Sequence, residues 1–145
     1  MYKRFLIATD GSELAEKAVT SGLALAKELG AQVVVVTATE PWATMTNGEG
    51  FAFNFPVEEY EKAAAERAEQ ILAKVRGNAQ KMSVACETVH VNDFPAEGIL
   101  ATAKAKQCDL IVMASHGRRG VARLLLGSQA AQVVALSTIP VLVCR

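Results

Sequence analysis

Cysteine and histidine are scarce in this chain of 145 residues. Cys86, Cys108 and Cys144 are scattered without a C-x-x-C pair, and the only histidines are His90 and His116. A disulfide framework or a zinc site would need denser, regularly spaced ligands. We therefore interpret the cysteines as small, half-buried apolar residues, a pattern that suits a reducing cytoplasm. We expect no metal site built from protein side chains.

Excess charge and long apolar runs are also missing. The 15 basic and 15 acidic residues give a formal net charge of zero, so broad binding to nucleic acid or to a membrane surface is not expected. No apolar run approaches the roughly 18 to 20 residues that cross a bilayer, and we expect no signal peptide. Hydrophobic residues nevertheless make up 51% of the chain, which is enough for a core and excludes disorder.

Short apolar runs alternate along the chain with longer segments of helical period. We predict strands at 4–9, 33–38, 83–91, 109–114 and 140–144, and helices at 13–29, 57–79, 96–106 and 128–137. Ser12 is the expected N-cap of the first helix and Gly30 its C-terminal stop. The alternating order predicts a single α/β domain over residues 1–145, a doubly wound, open five-stranded parallel sheet in a Rossmann-like α/β/α sandwich.

Ligands of such sheets bind beyond the carboxyl ends of the strands. The segments 8–12, 38–40 and 114–128 are predicted at this edge. In the last of them, glycines allow close approach of backbone N–H groups to an anion, and Gly127-Ser128 opens a helix whose N-terminus favours phosphate. Arg118, Arg119 and Arg123 add positive charge. A simple N-cap at Ser128 with a solvated arginine loop explains the same residues.

Neither the Walker sequence G-x-x-x-x-G-K-[ST] nor the dinucleotide fingerprint G-x-G-x-x-G is present, which argues against P-loop ATPases and dehydrogenases. His116 has no evident nucleophile or orienting partner, so a role in shaping the loop or at the edge of a phosphate is favoured over catalysis. We expect no catalytic residue. The aromatic-rich segment 41–56 is interpreted as a lid or an interaction surface.

Four phrases together resemble the universal stress protein family of the adenine-nucleotide α-hydrolase-like superfamily. They are IATDGS at 7–12, DLIVMASHG at 109–117, LLGS at 125–128 and IPVLV at 139–143. The resemblance covers the whole chain. Nucleotide-binding members carry the motif G-x2-G-x9-G-[ST]. Gly117 and Gly127-Ser128 match its second half, whereas Ala114 stands in place of the first glycine.

The resemblance implies an ATP site with Mg²⁺ carried on the phosphates. Asp10 would lie near the adenine-ribose end, the backbone of Ala38 would recognise adenine, and Met113 would pack on the base. A turn role for Asp10 and a core role for Met113 remain alternatives. The complete set of predicted nucleotide-binding residues is Ala8, Thr9, Asp10, Ala38, Met113, Ala114, Ser115, Gly117, Arg118, Arg119, Gly127, Ser128, Gln129 and Ala130.

The resemblance also implies a cytoplasmic homodimer that acts in the stress response as a nucleotide-dependent sensor or regulator, through unknown protein partners. Val141, Leu142 and Val143 are the expected dimer contact, because an apolar strand at a sheet edge can pair with its twin. Two alternatives stay open. One is a nucleotide-free homodimeric interaction module, which Ala114 favours. The other is a slow ATP hydrolase, for which the chain lacks a clear nucleophile and a metal-ligand set.

Overall fold

The computed structural model describes residues 1–42, 56–117 and 126–145. Strands and helices alternate along these residues as β1 (Arg4–Ala8), α1 (Glu13–Leu29), β2 (Gln32–Thr39), α2 (Val57–Lys81), β3 (Cys86–Asn92), α3 (Pro95–Ala105), β4 (Leu110–Ala114), α4 (Ser128–Leu136) and β5 (Val141–Cys144). Each predicted strand and helix is present, with ends that differ by at most three residues. The largest difference is at β3, because Ser83 has a left-handed φ of 58° and still belongs to the turn that ends α2.

The five strands form one parallel sheet in the order β3-β2-β1-β4-β5, which confirms the predicted fold class. Consecutive residues of β2 are buried on opposite faces of this sheet, since side chains alternate along a strand. Val33 and Val35 pack with α1 and α2, and Val34 and Val36 pack on the other face with α3 and α4. The uninterrupted valine run is therefore a strand covered by helices on both sides.

Local signals set the ends of α1. The Ser12 hydroxyl accepts a hydrogen bond from the Ala15 N–H at 3.3 Å, as an N-cap does. Gly30 closes the helix with a φ of 66°, a left-handed conformation that favours glycine, and Ala31 N–H donates to Ala26 C=O at 2.8 Å. Both predicted caps are confirmed.

The strand order places a crevice at the carboxyl end of β1. The chain leaves β1 towards β2 on one side and later returns as β4 on the other side of β1. Helix α1, which follows β1, packs on one face, whereas α4, which follows β4, packs on the opposite face. The connections from β1 to α1 and from β4 to α4 therefore leave the sheet towards opposite faces. Open α/β sheets bind ligands in the crevice that forms at such a point. Within the described ranges, none of the helices is long and apolar enough to cross a membrane.

Candidate functional site

A cavity of about 560 Å³ lies at this carboxyl edge, within the size range of small-molecule sites. The predicted nucleotide-binding residues that line it are Ala8, Thr9, Asp10, Ala38, Met113, Ala114, Gly117, Gly127, Ser128, Gln129 and Ala130. They come from the ends of β1, β2 and β4 and from the first turn of α4. The fold thus brings together segments that are distant in sequence.

The β2 wall of the cavity consists of Val36 and Ala38, which alternate along one face of the strand, and of Glu40, which directly follows the strand. Thr9 N–H donates to Val36 C=O at 3.0 Å where β1 ends. Backbone groups alternate sides along a strand, so the N–H and C=O of Ala38 point the same way as those of Val36, beyond the end of β1. A donor and an acceptor of the backbone therefore face the crevice.

Asp10 occupies the turn between β1 and α1. One carboxylate oxygen, Oδ1, accepts from Ser12 N–H at 2.9 Å, and the Thr9 hydroxyl accepts from Gly11 N–H at 3.1 Å. Gly11 has a φ of 78°, which few side chains tolerate. The other oxygen, Oδ2, lies against Gly117, where a Cβ atom would come within 3.0 Å of it. Asp10 therefore serves as the turn residue and also borders the cavity.

Gly127 brings the N-terminus of α4 close to the end of β4. Its N–H donates to the Ser115 C=O at 2.7 Å, and a Cβ atom at this position would lie 3.3 Å from the same oxygen. Ser115 itself is buried and does not line the cavity, and its N–H donates at 2.7 Å to the Cys144 C=O on β5. Among the described residues no side chain caps α4, so the first-turn N–H groups are available as donors.

Gln129 ties α4 to α3. Its side-chain oxygen accepts from the Ala96 N–H at 3.0 Å and replaces the missing cap at Phe94. This contact brings Pro95 and Ile99 of α3 to the cavity wall. The backbone N–H of Gln129, not its side-chain oxygen, is left for the predicted contact with phosphate.

His116 also lines the cavity. Its Nδ1 lies 3.0 Å from the Ser115 hydroxyl. Its Nε2 is buried and has no hydrogen-bond partner among the residues that the structure describes. The ring lies directly beside Gly127, since a Cβ atom on Gly127 would be 3.5 Å from the ring carbon Cδ2.

The charged side chains that line the described part of the cavity are the carboxylates Asp10 and Glu40. Arg118, Arg119 and Arg123 lie outside the described residues, as does most of the predicted lid, 43–55. In the described ranges no group of three or more histidine, cysteine, aspartate or glutamate residues is placed to hold a metal ion.

Sequence reasoning missed several wall residues, namely Ala15, Val36, Glu40, Pro95 and Ile99. A period of two counted from Ala38 would have found Val36 on β2 and Glu40 directly after it. No sequence signal identifies the two from α3, because the packing of α3 on α4 brings them to the site.

Relatives of known family match the chain end to end. A universal stress protein of Thermus aquaticus is 39% identical over 147 residues, and universal stress protein YxiE of Bacillus subtilis is 32% identical over 148 residues. Each alignment covers 100% of both chains.

Solved structures share the fold at lower identity. Universal stress protein UspA from Lactobacillus plantarum has a TM-score of 0.87 at 23% identity and covers 99% of this chain and 98% of its own. A universal stress protein in complex with cAMP has a TM-score of 0.72 at 23% identity, with coverage of 99% and 97%. The universal stress protein from Archaeoglobus fulgidus in complex with dAMP has a TM-score of 0.71 at 21% identity, with coverage of 99% and 98%.

The family model described as Universal stress protein family matches residues 1–145. Together with the full-length relatives, this match shows that the chain belongs to the universal stress protein family.

Proposed function

We propose that this chain binds ATP, with Mg²⁺ carried on the phosphates, and acts through protein partners as a nucleotide-dependent regulator of the stress response. One observation carries the proposal: the cavity runs from the backbone of Ala38 at one end to the N-terminus of α4 at the other. Two proteins of the same fold are known in complex with the adenine nucleotides cAMP and dAMP.

The β2 end of the cavity suits a purine base. The N–H and C=O of Ala38 supply one donor and one acceptor, which can pair with the edge of adenine. Val36, Ile99 and Met113 provide apolar surface around that edge. A flat aromatic base gains from such surface because it is removed from water there.

The α4 end of the cavity suits the phosphates. The free N–H groups of the first turn and the helix dipole both favour negative charge. Gly127 lets this turn lie close to the end of β4, since a Cβ atom there would lie 3.3 Å from the Ser115 C=O. Mg²⁺ commonly binds through substrate phosphates and retains several waters, so the proposal does not require a cage of protein ligands.

Ala114 is the residue that favours the alternative, a nucleotide-free interaction module. It stands where nucleotide-binding members have the first motif glycine, and it lines the cavity at the end of β4. Alanine adds only a methyl group at this position. We therefore propose that ATP binds at a modest steric cost and prefer this to the nucleotide-free alternative.

Calorimetric titration with ATP, ADP and AMP in the presence of magnesium tests the proposal, and fluorescence of Trp42 supports it as a second readout. We expect Gly127→Val to weaken ATP binding by about 1–3 kcal/mol, the scale of a lost polar contact. The physical reason is that the new side chain would stand 3.3 Å from Ser115 C=O and over the proposed phosphate path.

Gly77→Val is the matched control, because a Cβ atom at Gly77 on α2 meets nothing within 4 Å. The control should bind ATP as the wild type does. Equal affinity in the Gly127 and Gly77 variants would contradict the placement of the phosphates. If the wild type binds none of the three nucleotides in calorimetry, the interaction module becomes the better assignment.

The proposal includes a homodimer formed through β5. Among the described residues this strand pairs with β4 alone and is the last in the sheet. Leu142 is 39% exposed, and Val134 and Leu136 of the neighbouring α4 are exposed as well. A second copy of β5 would pair with the open edge and cover this apolar surface. We place the dimer in the cytoplasm, because the three cysteines are unpaired, as is typical of a reducing compartment.

A further inference from the structure

A second cavity lies between helices α1 and α2 and has a volume of about 230 Å³. Its lining includes Glu16 and Val19 from α1 and Lys74 and Val75 from α2, and we call it the helix-pair cavity. Liquid water occupies about 30 Å³ per molecule, so this space corresponds to about seven or eight waters. It therefore has room for a ligand of about that many non-hydrogen atoms.

The turn after β1 separates the helix-pair cavity from the cavity at the carboxyl edge of the sheet. Asp10 lines the cavity at the carboxyl edge, Gly11 lines the helix-pair cavity, and Thr9 lines both. Helices α1 and α2 pack on one face of the sheet, whereas α3 and α4 pack on the other. A molecule in the helix-pair cavity would therefore occupy a different place from the proposed nucleotide.

The deep part of the helix-pair cavity is apolar. Val19 and Val75 line it and are buried members of the hydrophobic core between the sheet and the two helices. Ile71, which is half-buried, adds further hydrocarbon surface. A ligand with an aliphatic group would gain free energy here, because that group would leave water.

An ion pair joins the two helices at the solvent side of the cavity. Lys74 Nζ lies 2.7 Å from Glu16 Oε1, and the two side chains are 62% and 46% exposed. The other polar side chains of this lining, which include Gln70 and Asn78, are uncharged. An exposed ion pair adds little to stability, since water solvates both partners well. A ligand can therefore replace each partner at a small cost.

These two charges define the class of ligand. A simple anion attracted by Lys74 would be repelled by the Glu16 carboxylate, and a simple cation attracted by Glu16 would be repelled by the Lys74 ammonium group, because the two groups are in contact. A zwitterion can match both charges at once. In an α-amino acid the ammonium and carboxylate groups are on the same carbon atom, beside the side chain. Valine and leucine also have the size that the cavity accepts.

We infer that the helix-pair cavity binds a small aliphatic α-amino acid. The ammonium group of the ligand pairs with Glu16, its carboxylate pairs with Lys74, and its side chain packs on Val19 and Val75. The inference goes beyond the proposed function, and it does not depend on nucleotide binding.

Calorimetric titration of the full chain, without nucleotide, tests each part of this ligand with four probes. L-Leucine carries all three groups. Leucinamide lacks the carboxylate, 4-methylpentanoate lacks the ammonium group, and glycine lacks the side chain. We expect leucine to bind about tenfold or more tightly than each of the others, because each of them loses a contact to a charged group or the apolar contact.

Two substitutions assign the contacts to their partners. Lys74→Met should weaken leucine binding about tenfold and should not weaken leucinamide binding, because leucinamide has no carboxylate to lose a partner. Glu16→Gln should likewise weaken the binding of leucine and not that of 4-methylpentanoate. Lys62→Met and Glu13→Gln are the matched controls, since these residues are on the same two helices and do not line the cavity. Both controls should bind leucine as the wild type does.

NMR of the valine methyl groups gives the location of the ligand. Addition of leucine should shift the resonances of Val19 and Val75 and leave that of Val36, in the cavity at the carboxyl edge, unchanged. Three results would overturn the inference: leucine that binds no better than glycine, equal leucine affinity in wild type and Lys74→Met, or shifts at Val36 instead of Val19 and Val75. Titration with ATP tests the proposed function separately, so the two proposals can fail independently.

Discussion

Gly22 and Gly77 are both helix residues, but they meet opposite surroundings. Gly22 lets α1 lie close to the sheet, since a Cβ atom there would come within 2.6 Å of Ile7 Cδ1 and 3.3 Å of Val112 Cγ1. Both neighbours are fully buried, so neither side chain has solvent to move into. At Gly77 on α2 the same atom meets nothing within 4 Å. The same residue type therefore reflects close packing at one position and leaves open space at the other.

Alanine substitution should consequently change stability in opposite directions at these two positions. We expect Gly22→Ala to destabilise the protein by about 1–3 kcal/mol, because overpacking outweighs the better helix propensity. Gly77→Ala should stabilise it by about 0.5–1 kcal/mol, because only the propensity changes. Urea unfolding monitored by circular dichroism measures both. Equal stabilisation by the two substitutions would disprove the close contact between Gly22 and Ile7. If Gly22→Ala costs less stability when Ile7 is also replaced by valine, the close contact is supported.

At the scale of the elements, β5 is one of the two edge strands of the described sheet, and the other is β3. Strand β5 has four residues, pairs with β4 as its one neighbour in the described part of the chain, and includes the exposed Leu142. An open strand edge with apolar side chains is a template for pairing with another strand. The proposed homodimer would use it for pairing around a two-fold axis.

Leu142→Arg should therefore convert the dimer to a monomer, since it would bring two cations together across the two-fold axis in an apolar contact. Light scattering coupled to size-exclusion chromatography measures the mass directly. Leu29→Arg is the control, because Leu29 is a leucine of comparable exposure (51%) at the end of α1 and is not part of β5. A monomeric Leu142→Arg variant together with a dimeric Leu29→Arg variant would support the β5 contact. A wild type that is monomeric at working concentration, or a dimeric Leu142 variant, would contradict it.

At the scale of the whole molecule, ionisation of the three thiols makes the free energy of unfolding depend on pH in the alkaline range. Burial raises the pKa of Cys108 from 9.0 to about 11, and burial also raises the pKa values of Cys86 and Cys144. The unfolded chain therefore loses these protons at lower pH than the folded protein. Ionisation of the thiols then favours the unfolded state. The stability that the protonated thiols contribute is therefore fully present below pH 9 and is lost as the pH rises towards 11.

Denaturant unfolding at neutral pH and at several values between pH 9 and 11 should show this decline. Cys108→Ala should make the slope of unfolding free energy against pH shallower, even though the substitution itself lowers stability in the core. Cys144→Ala serves as comparison, because Cys144 is less buried and should contribute less of the slope. Identical slopes in the wild type and the Cys108 variant would refute the role of this thiol.

Much of the fold was predictable because its signals are local. The valine run of β2, the N-cap at Ser12 and the left-handed stop at Gly30 each act over a few residues, and each was confirmed. The lining of the cavity was predictable in part for the same reason, because residues at strand ends and at Gly127-Ser128 are recognisable from their neighbours in the chain. Their role in nucleotide binding stays a prediction. The error at β3 came from Ser83, whose positive φ no hydrophobic pattern reveals.

What the sequence by itself determined is the set of elements, the parallel α/β class and the edge of the sheet where the cavity lies, since periodicity, caps and alternation are properties of short segments. Only the tertiary structure decided the strand order, the α3 wall of the cavity and the surroundings of His116. These depend on contacts such as the bond from Ala96 to Gln129, which are 33 residues apart. Whether a polar atom finds a partner is decided by such long-range packing, and no short segment of sequence contains that information.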